Sequence, residues 1–206
     1  MFKKLIILNI FIVLTFVLCG CGNSNNENAN TNSNNATEID KTSLTIEVPE
    51  EPKPPVETEL ATFSTTIKSK GAGRLNNIRI TCSKINGQTL GIGNEFSFEK
   101  IVGKSSPEEG YQKADIFVDK KIVQAYGGGN CQVSTTLYNA VLATPGLTVT
   151  ERHPHGRKVD YMPEGKDAAV SHGTLDLKFK NDTGSQIKIY ASSDDSTLTV
   201  KIVKVE

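Results

Sequence analysis

Apolar and polar positions divide the chain into three textures. Leu5 to Leu18 is an apolar run broken only by Asn9 and Thr15, and Lys3 and Lys4 precede it. As a helix its fourteen residues span about 21 Å, short of the roughly 30 Å of a hydrocarbon core. The pattern over 1–20 predicts a secretory signal peptide rather than a membrane span. Polar residues then dominate, with eight asparagines between Asn23 and Asn35 and a Pro/Glu stretch from Val48 to Pro55. From about residue 60 the pattern becomes that of a folded domain. Residues 61–67 have β-type content, and Leu75, Ile78, Cys82 and Ile85 share one face of a helix stopped by Asn86-Gly87. Glu95–Ile101 alternates like a strand, and 114–118 with 122–126 reads as a hairpin through Asp119-Lys120-Lys121. A second helix runs from Cys131 to about Thr144 and stops at Pro145-Gly146. Strands are expected at 147–151, 158–162 and 168–180, and 186–191 pairs with 197–205 through the turn at 193–196. These elements predict a single α+β domain over 60–206. Two helices pack on a largely antiparallel β-sheet, preceded by a disordered tether.

Composition sharpens this division. The chain has 206 residues and no net charge, but residues 22–60 carry eight acids and two lysines, whereas 61–206 carry 15 acids and 19 bases. An acidic linker over 21–59 thus leads to a mildly basic domain, which gives no footprint for nucleic acid. The linker has too few apolar residues to offset the entropy of ordering. At about 35 residues it reaches about 30–35 Å. The signal ends in Leu18-Cys19-Gly20-Cys21, which resembles the bacterial lipoprotein box. That resemblance implies lipidation at Cys21 and a protein held by acyl chains on the extracytoplasmic face of the membrane.

The densest chemical signal is Gly127-Gly-Gly-Asn-Cys-Gln-Val-Ser-Thr-Thr-Leu-Tyr-Asn-Ala140. Cys82 reads as a small core residue on the first helix. Cys131 stands at a helix start, where unpaired N–H groups and the dipole favour a thiolate. A Cys82–Cys131 disulfide is the structural alternative, although a domain this size needs no staple. The three histidines lack zinc-type spacing with either cysteine, so neither metal nor cofactor is expected. Gly127, Gly128 and Gly129 would let a substrate approach closely, and the N–H groups about Asn130, Cys131 and Gln132 would stabilise an oxyanion. A nucleophilic thiol wants a base, and Glu151-Arg-His-Pro-His155 follows at the end of the next strand. His153 and His155 are the candidates, with His172 weaker. Asp176, Asp167 and Asn181 are candidates to orient the imidazole, Asp176 foremost.

From Phe63 onward the chain resembles the VanW family, an accessory domain named from glycopeptide-resistance gene clusters. The matching stretches are Arg74–Ile78, Gly93–Phe98, Gly127–Ala140, Glu151–His155, Tyr161–Ala168 and Asp176–Asn181, in family order. The resemblance implies a cell-envelope role, and some members resemble L,D-transpeptidases that cross-link peptidoglycan through a cysteine acyl-enzyme. Carried over by motif, Cys131 is the nucleophile and His155 the general base. Arg152 matches the family arginine, for a stem-peptide carboxylate or a structural salt bridge. Ser134, Thr135 and Tyr138 on the same helix are taken as substrate-binding. The partners so implied are peptidoglycan stem peptides and, through Cys21, the membrane; the chain is expected to act as a monomer. A non-catalytic binder of the wall or of lipid II, or a hydrolytic cysteine peptidase, are the competing readings.

Overall fold

The computed structural model describes residues 55–118 and 121–206. The signal peptide, Cys21, most of the acidic linker and two residues of the expected 119–121 turn lie outside them. Strand β1 (Glu57–Thr66) begins inside the stretch read as linker. It is followed by helix α1 (Ala72–Ile85), β2 (Gln88–Leu90), β3 (Glu95–Ser97), α2 (Phe98–Val102), β4 (Lys113–Val118) and β5 (Lys121–Tyr126). The chain then forms α3 (Asn130–Leu142), β6 (Leu147–Glu151), β7 (Lys178–Asn181), β8 (Gln186–Ser193) and β9 (Thr197–Val205). The fold is α+β, with antiparallel pairing throughout the described strands.

Four strands form the main sheet in the order β1-β9-β8-β2, three form a second in the order β3-β7-β6, and β4-β5 is a separate hairpin. Helices α1 and α3 contact the main sheet and each other. The period-2 pattern of β8 and β9 turns Ile187, Ile189, Leu198, Val200 and Ile202 inward, all at 0% exposure, to meet Ile78, Cys82 and Ile85 of α1 and Val133, Leu137 and Ala140 of α3. Each fully buried aliphatic side chain contributes about 1.5–3 kcal/mol. In the second sheet the Phe96 and Phe179 rings stack with centroids 4.7 Å apart.

Several expected elements changed. The alternation at 95–101 is a strand only to Ser97. That serine then caps α2, its side chain accepting the Lys100 N–H, and the helix ends at Gly103 with a φ of 67°. Of 168–180 only Lys178–Asn181 pairs in a sheet, and 158–162 forms turns, because neither stretch meets a free strand edge over its length. The region between β6 and β7 is instead an irregular lobe. It is pinned by isolated bridges between His153 and Ala169 and between Ser171 and Leu175.

Candidate active site

Helix α3 buries polar as well as apolar residues, and those polar side chains build the site. Gln132, Ser134, Thr135, Thr136 and Asn139 are all buried and all hydrogen-bonded, as burial of polar groups demands. Gln132 donates to the Thr65 hydroxyl and the Thr66 carbonyl of β1, at 3.1 and 3.0 Å. Ser134 donates to the Ala168 carbonyl at 2.6 Å, and Thr135 accepts the Ala168 N–H at 3.0 Å. One turn on, Asn139 donates to the Lys166 carbonyl at 2.7 Å. These contacts clip the segment 166–168 along the helix. Ser134 and Thr135, expected to meet substrate, are therefore occupied in holding Asp167 in place.

Asp167 meets His155 through register. The His153–Ala169 antiparallel bridge, extended by two residues on each side, places 155 opposite 167. One Asp167 carboxylate oxygen accepts both the backbone N–H of His155 at 2.6 Å and its ring Nδ1 at 2.7 Å. The other accepts Arg152 at 2.7 Å, while Arg152 Nε donates to the Asp167 carbonyl at 2.6 Å. Arg152 stacks over the half-buried Tyr138 ring, 5.6 Å from its centroid. Arg152, read as a contact to a substrate carboxylate or a structural salt bridge, forms the salt bridge, and Tyr138, read as a substrate contact, packs against its guanidinium.

The Cys131 thiol is free and partly exposed, and its Sγ–H donates to the Val170 carbonyl at 3.4 Å. The His155 ring lies close enough to the same sulfur for the two to interact electrostatically; with Nδ1 on Asp167, Nε2 is the nitrogen left to face it. Burial opposes the charged form of His155, but the sulfur and then the Asp167 carboxylate outweigh it, and the net pKa is raised. Burial likewise pushes the Asp167 carboxyl up, yet the His155 contacts prevail and hold it below the ordinary carboxylate range. Cys82 is also free, and burial pushes its thiol up to about 12. No disulfide joins the two.

The other expected residues sit elsewhere. Asp176 does not reach His155. Its carboxylate accepts from the Ser97 hydroxyl at 2.6 Å and from the Glu99 and Leu177 N–H groups at 2.8 Å, anchoring the start of α2. Asn181 bonds the carbonyls of Leu90 and Ser185. His153 pairs with Glu151 at 2.8 Å, and His172 with Glu99 at 3.2 Å. The glycines serve packing rather than substrate access. A Cβ on Gly128 would lie 2.8 Å from that of Ala114 and 2.9 Å from the Asp115 carbonyl. One on Gly129, whose φ is 117°, would strike Ile78 at 2.7 Å, and Ser105 fills the space at Gly127. Asn130 links the Ser105 and Thr81 side chains. The Gln132 N–H is taken by the Gly129 carbonyl and that of Asn130 by Gly127. Among the described residues only the Cys131 N–H of this trio lacks a backbone acceptor and can serve as an oxyanion donor. Two residues at the site, Tyr161 and Arg74, open matching stretches of the sequence but carry no expected site role there. The half-buried Tyr161 feels the charges of both Cys131 and Arg74, and burial raises its phenol. Arg74 donates to Gln132 at 2.7 Å. On the far side of His155 a cleft of about 320 Å³ is lined by Arg157, Lys158, Glu164 and Asp167. Among the described residues no group of three His, Cys, Asp or Glu side chains is placed to hold a metal.

A thiol, an imidazole and a carboxylate gathered at a helix start are the groups that a cysteine-nucleophile site would use. The VanW like protein family matches residues 73–203, which contain the whole series, and the chain belongs to that family. It is 34% identical over 144 residues to the uncharacterized protein YoaR of Bacillus subtilis, covering 70% of this chain and 47% of that one. It is 32% identical over 127 residues to the vancomycin B-type resistance protein VanW of Enterococcus faecalis, covering 59% of this chain and 46% of that one. The chain thus spans about half the length of these relatives. No solved structure matches it.

Proposed function

We propose that this protein is a cell-envelope lipoprotein, anchored through Cys21, whose VanW domain is a cysteine acyl-transferase for peptidoglycan stem peptides. The observation that supports the chemistry is the Cys131–His155–Asp167 series. In the first step His155 Nε2 takes the thiol proton as Sγ attacks a stem-peptide carbonyl carbon. Asp167 holds the ring by Nδ1 and balances the imidazolium charge. The Cys131 N–H stabilises the oxyanion. The C–N bond then breaks, and the imidazolium returns its proton to the leaving amine, D-alanine in a tetrapeptide stem. A thioester remains on Cys131. A side-chain amine of a neighbouring stem attacks that thioester, His155 accepts its proton, and the thiol is restored as the cross-link forms.

The test is incubation of the full chain with purified disaccharide-tetrapeptide, followed by mass analysis. Cross-linked dimers with free D-alanine, absent in Cys131→Ala, are the expected products. Monomeric tripeptide with free D-alanine would instead indicate hydrolysis. No product, together with a Cys131 inert to iodoacetamide, would leave a binding role and remove the enzyme.

A further inference from the structure

Several partly buried cations of this domain have an acidic partner. Arg152 is on Asp167, Lys84 on Glu109, Lys178 on Glu151 and Lys188 on Glu57. Arg74 differs. It sits in the first turn of α1, with its backbone carbonyl against Gly129. Its guanidinium reaches the Oε1 of Gln132, the residue after the nucleophile, at 2.7 Å. That is a neutral acceptor, and no acid among the described residues lies within ion-pair distance of Arg74. Its Nε is buried without any hydrogen-bond partner. An unpaired donor so placed is costly to leave, and a half-buried cation is costly without a counter-charge. The guanidinium and the Cys131 sulfur each lie near enough to the Tyr161 hydroxyl to act on it electrostatically.

Resting on the acyl-transfer reading above, we infer that Arg74 is a specificity residue that holds the free terminal carboxylate of the leaving residue. A planar guanidinium matches a carboxylate, and the ligand supplies the missing counter-charge. In this inference the carboxylate lies beside Gln132, the residue that follows the nucleophile, and one residue beyond the bond that Cys131 attacks. The site then acts on peptides whose scissile bond precedes a free C-terminal residue, and it discriminates against the same peptide ending in an amide.

Two alkylating agents of similar size and opposite charge character test this on the full chain. Iodoacetate carries a carboxylate; iodoacetamide is neutral. Modification of Cys131, followed by mass mapping, gives a rate ratio in which the intrinsic reactivity of the thiol cancels. The native protein is expected to favour iodoacetate relative to free cysteine, with the preference shrinking as salt is added. Arg74→Gln lowers the ratio about three- to tenfold, the effect of one charge several ångströms away at intermediate dielectric. Arg74→Lys restores part of it. A reactive Cys131 with no preference for the anion in the native chain overturns the inference while leaving the nucleophile in place, as does a ratio unmoved by Arg74→Gln or not recovered by Arg74→Lys. A Cys131 inert to both reagents overturns the acyl-transfer reading itself. The native-chain ratio and its salt dependence need no variant to fold.

Discussion

Replacing Thr135 by valine removes one hydroxyl from a fully buried helix face and barely changes the volume there. In the native protein that oxygen accepts the Ala168 N–H at 3.0 Å and lies 3.3 Å from the Ala168 carbonyl. The carbonyl keeps its 2.6 Å bond from Ser134. The N–H does not, and an orphaned buried donor costs about 1–3 kcal/mol. For a domain of this size that lowers Tm by about 2–4 °C per kcal/mol, so a fall of about 2–12 °C is expected. Ser134→Ala should cost less, about 0.5–1.5 kcal/mol, since the Thr135 hydroxyl remains for the carbonyl. Because Ala168 follows Asp167 directly, Thr135→Val also loosens the carboxylate from His155. Loss of about 1.4 kcal/mol from that contact slows iodoacetamide alkylation of Cys131 about tenfold. Thermal denaturation and alkylation kinetics measure the two effects separately. A Thr135→Val protein with native Tm and native alkylation rate would refute the idea that this helix positions Asp167.

Three other perturbations probe different parts of the structure. Asp167→Asn should move the titration midpoint of the His155 ring down, because both the hydrogen bond and the charge of Asp167 raise it; an unchanged midpoint in ring-proton NMR would refute that coupling. Gly128→Ala should destabilise the domain by about 1–3 kcal/mol in urea unfolding, since the new methyl meets the β4 backbone and no flexible side chain can yield. The Lys178 ammonium, then His153, holds the Glu151 carboxyl at about 2, against an ordinary 4.5. A depressed carboxyl contributes stability that is present above 4.5 and lost as pH falls from there towards 2. Urea midpoints should thus fall less steeply with acid in Glu151→Gln, and a parallel fall in both proteins argues against the pairing.

Much of the fold was legible because its signals are local. The Leu75, Ile78, Cys82 and Ile85 spacing marks α1, and the β8–β9 alternation marks a hairpin, since period and burial follow directly from helix and strand geometry. Helix α2 was hidden because one capping serine ended an otherwise good strand pattern. The failures at 158–162 and 168–177 share another cause: a β-rich stretch becomes a strand only if a free edge meets it.

The candidate site divides in the same way. Cys131 at the head of α3 and His155 after β6 stand out from residue type and adjacent elements alone. Choosing Asp167 over Asp176 required a cross-chain register, because both are acids on later segments and nothing local tells them apart. The polar residues of α3 illustrate the limit best. Ser134, Thr135 and Tyr138 are chemically able to bind a substrate, and their helical spacing is plain. Which of their neighbours is peptide backbone and which is open space depends on how the 152–177 lobe folds back. The chain's own pattern therefore decides which groups can react and where helices begin. The long-range pairing of distant segments decides which groups meet, because hydrogen-bond partners and counter-charges are set by distance in space, not by distance along the chain.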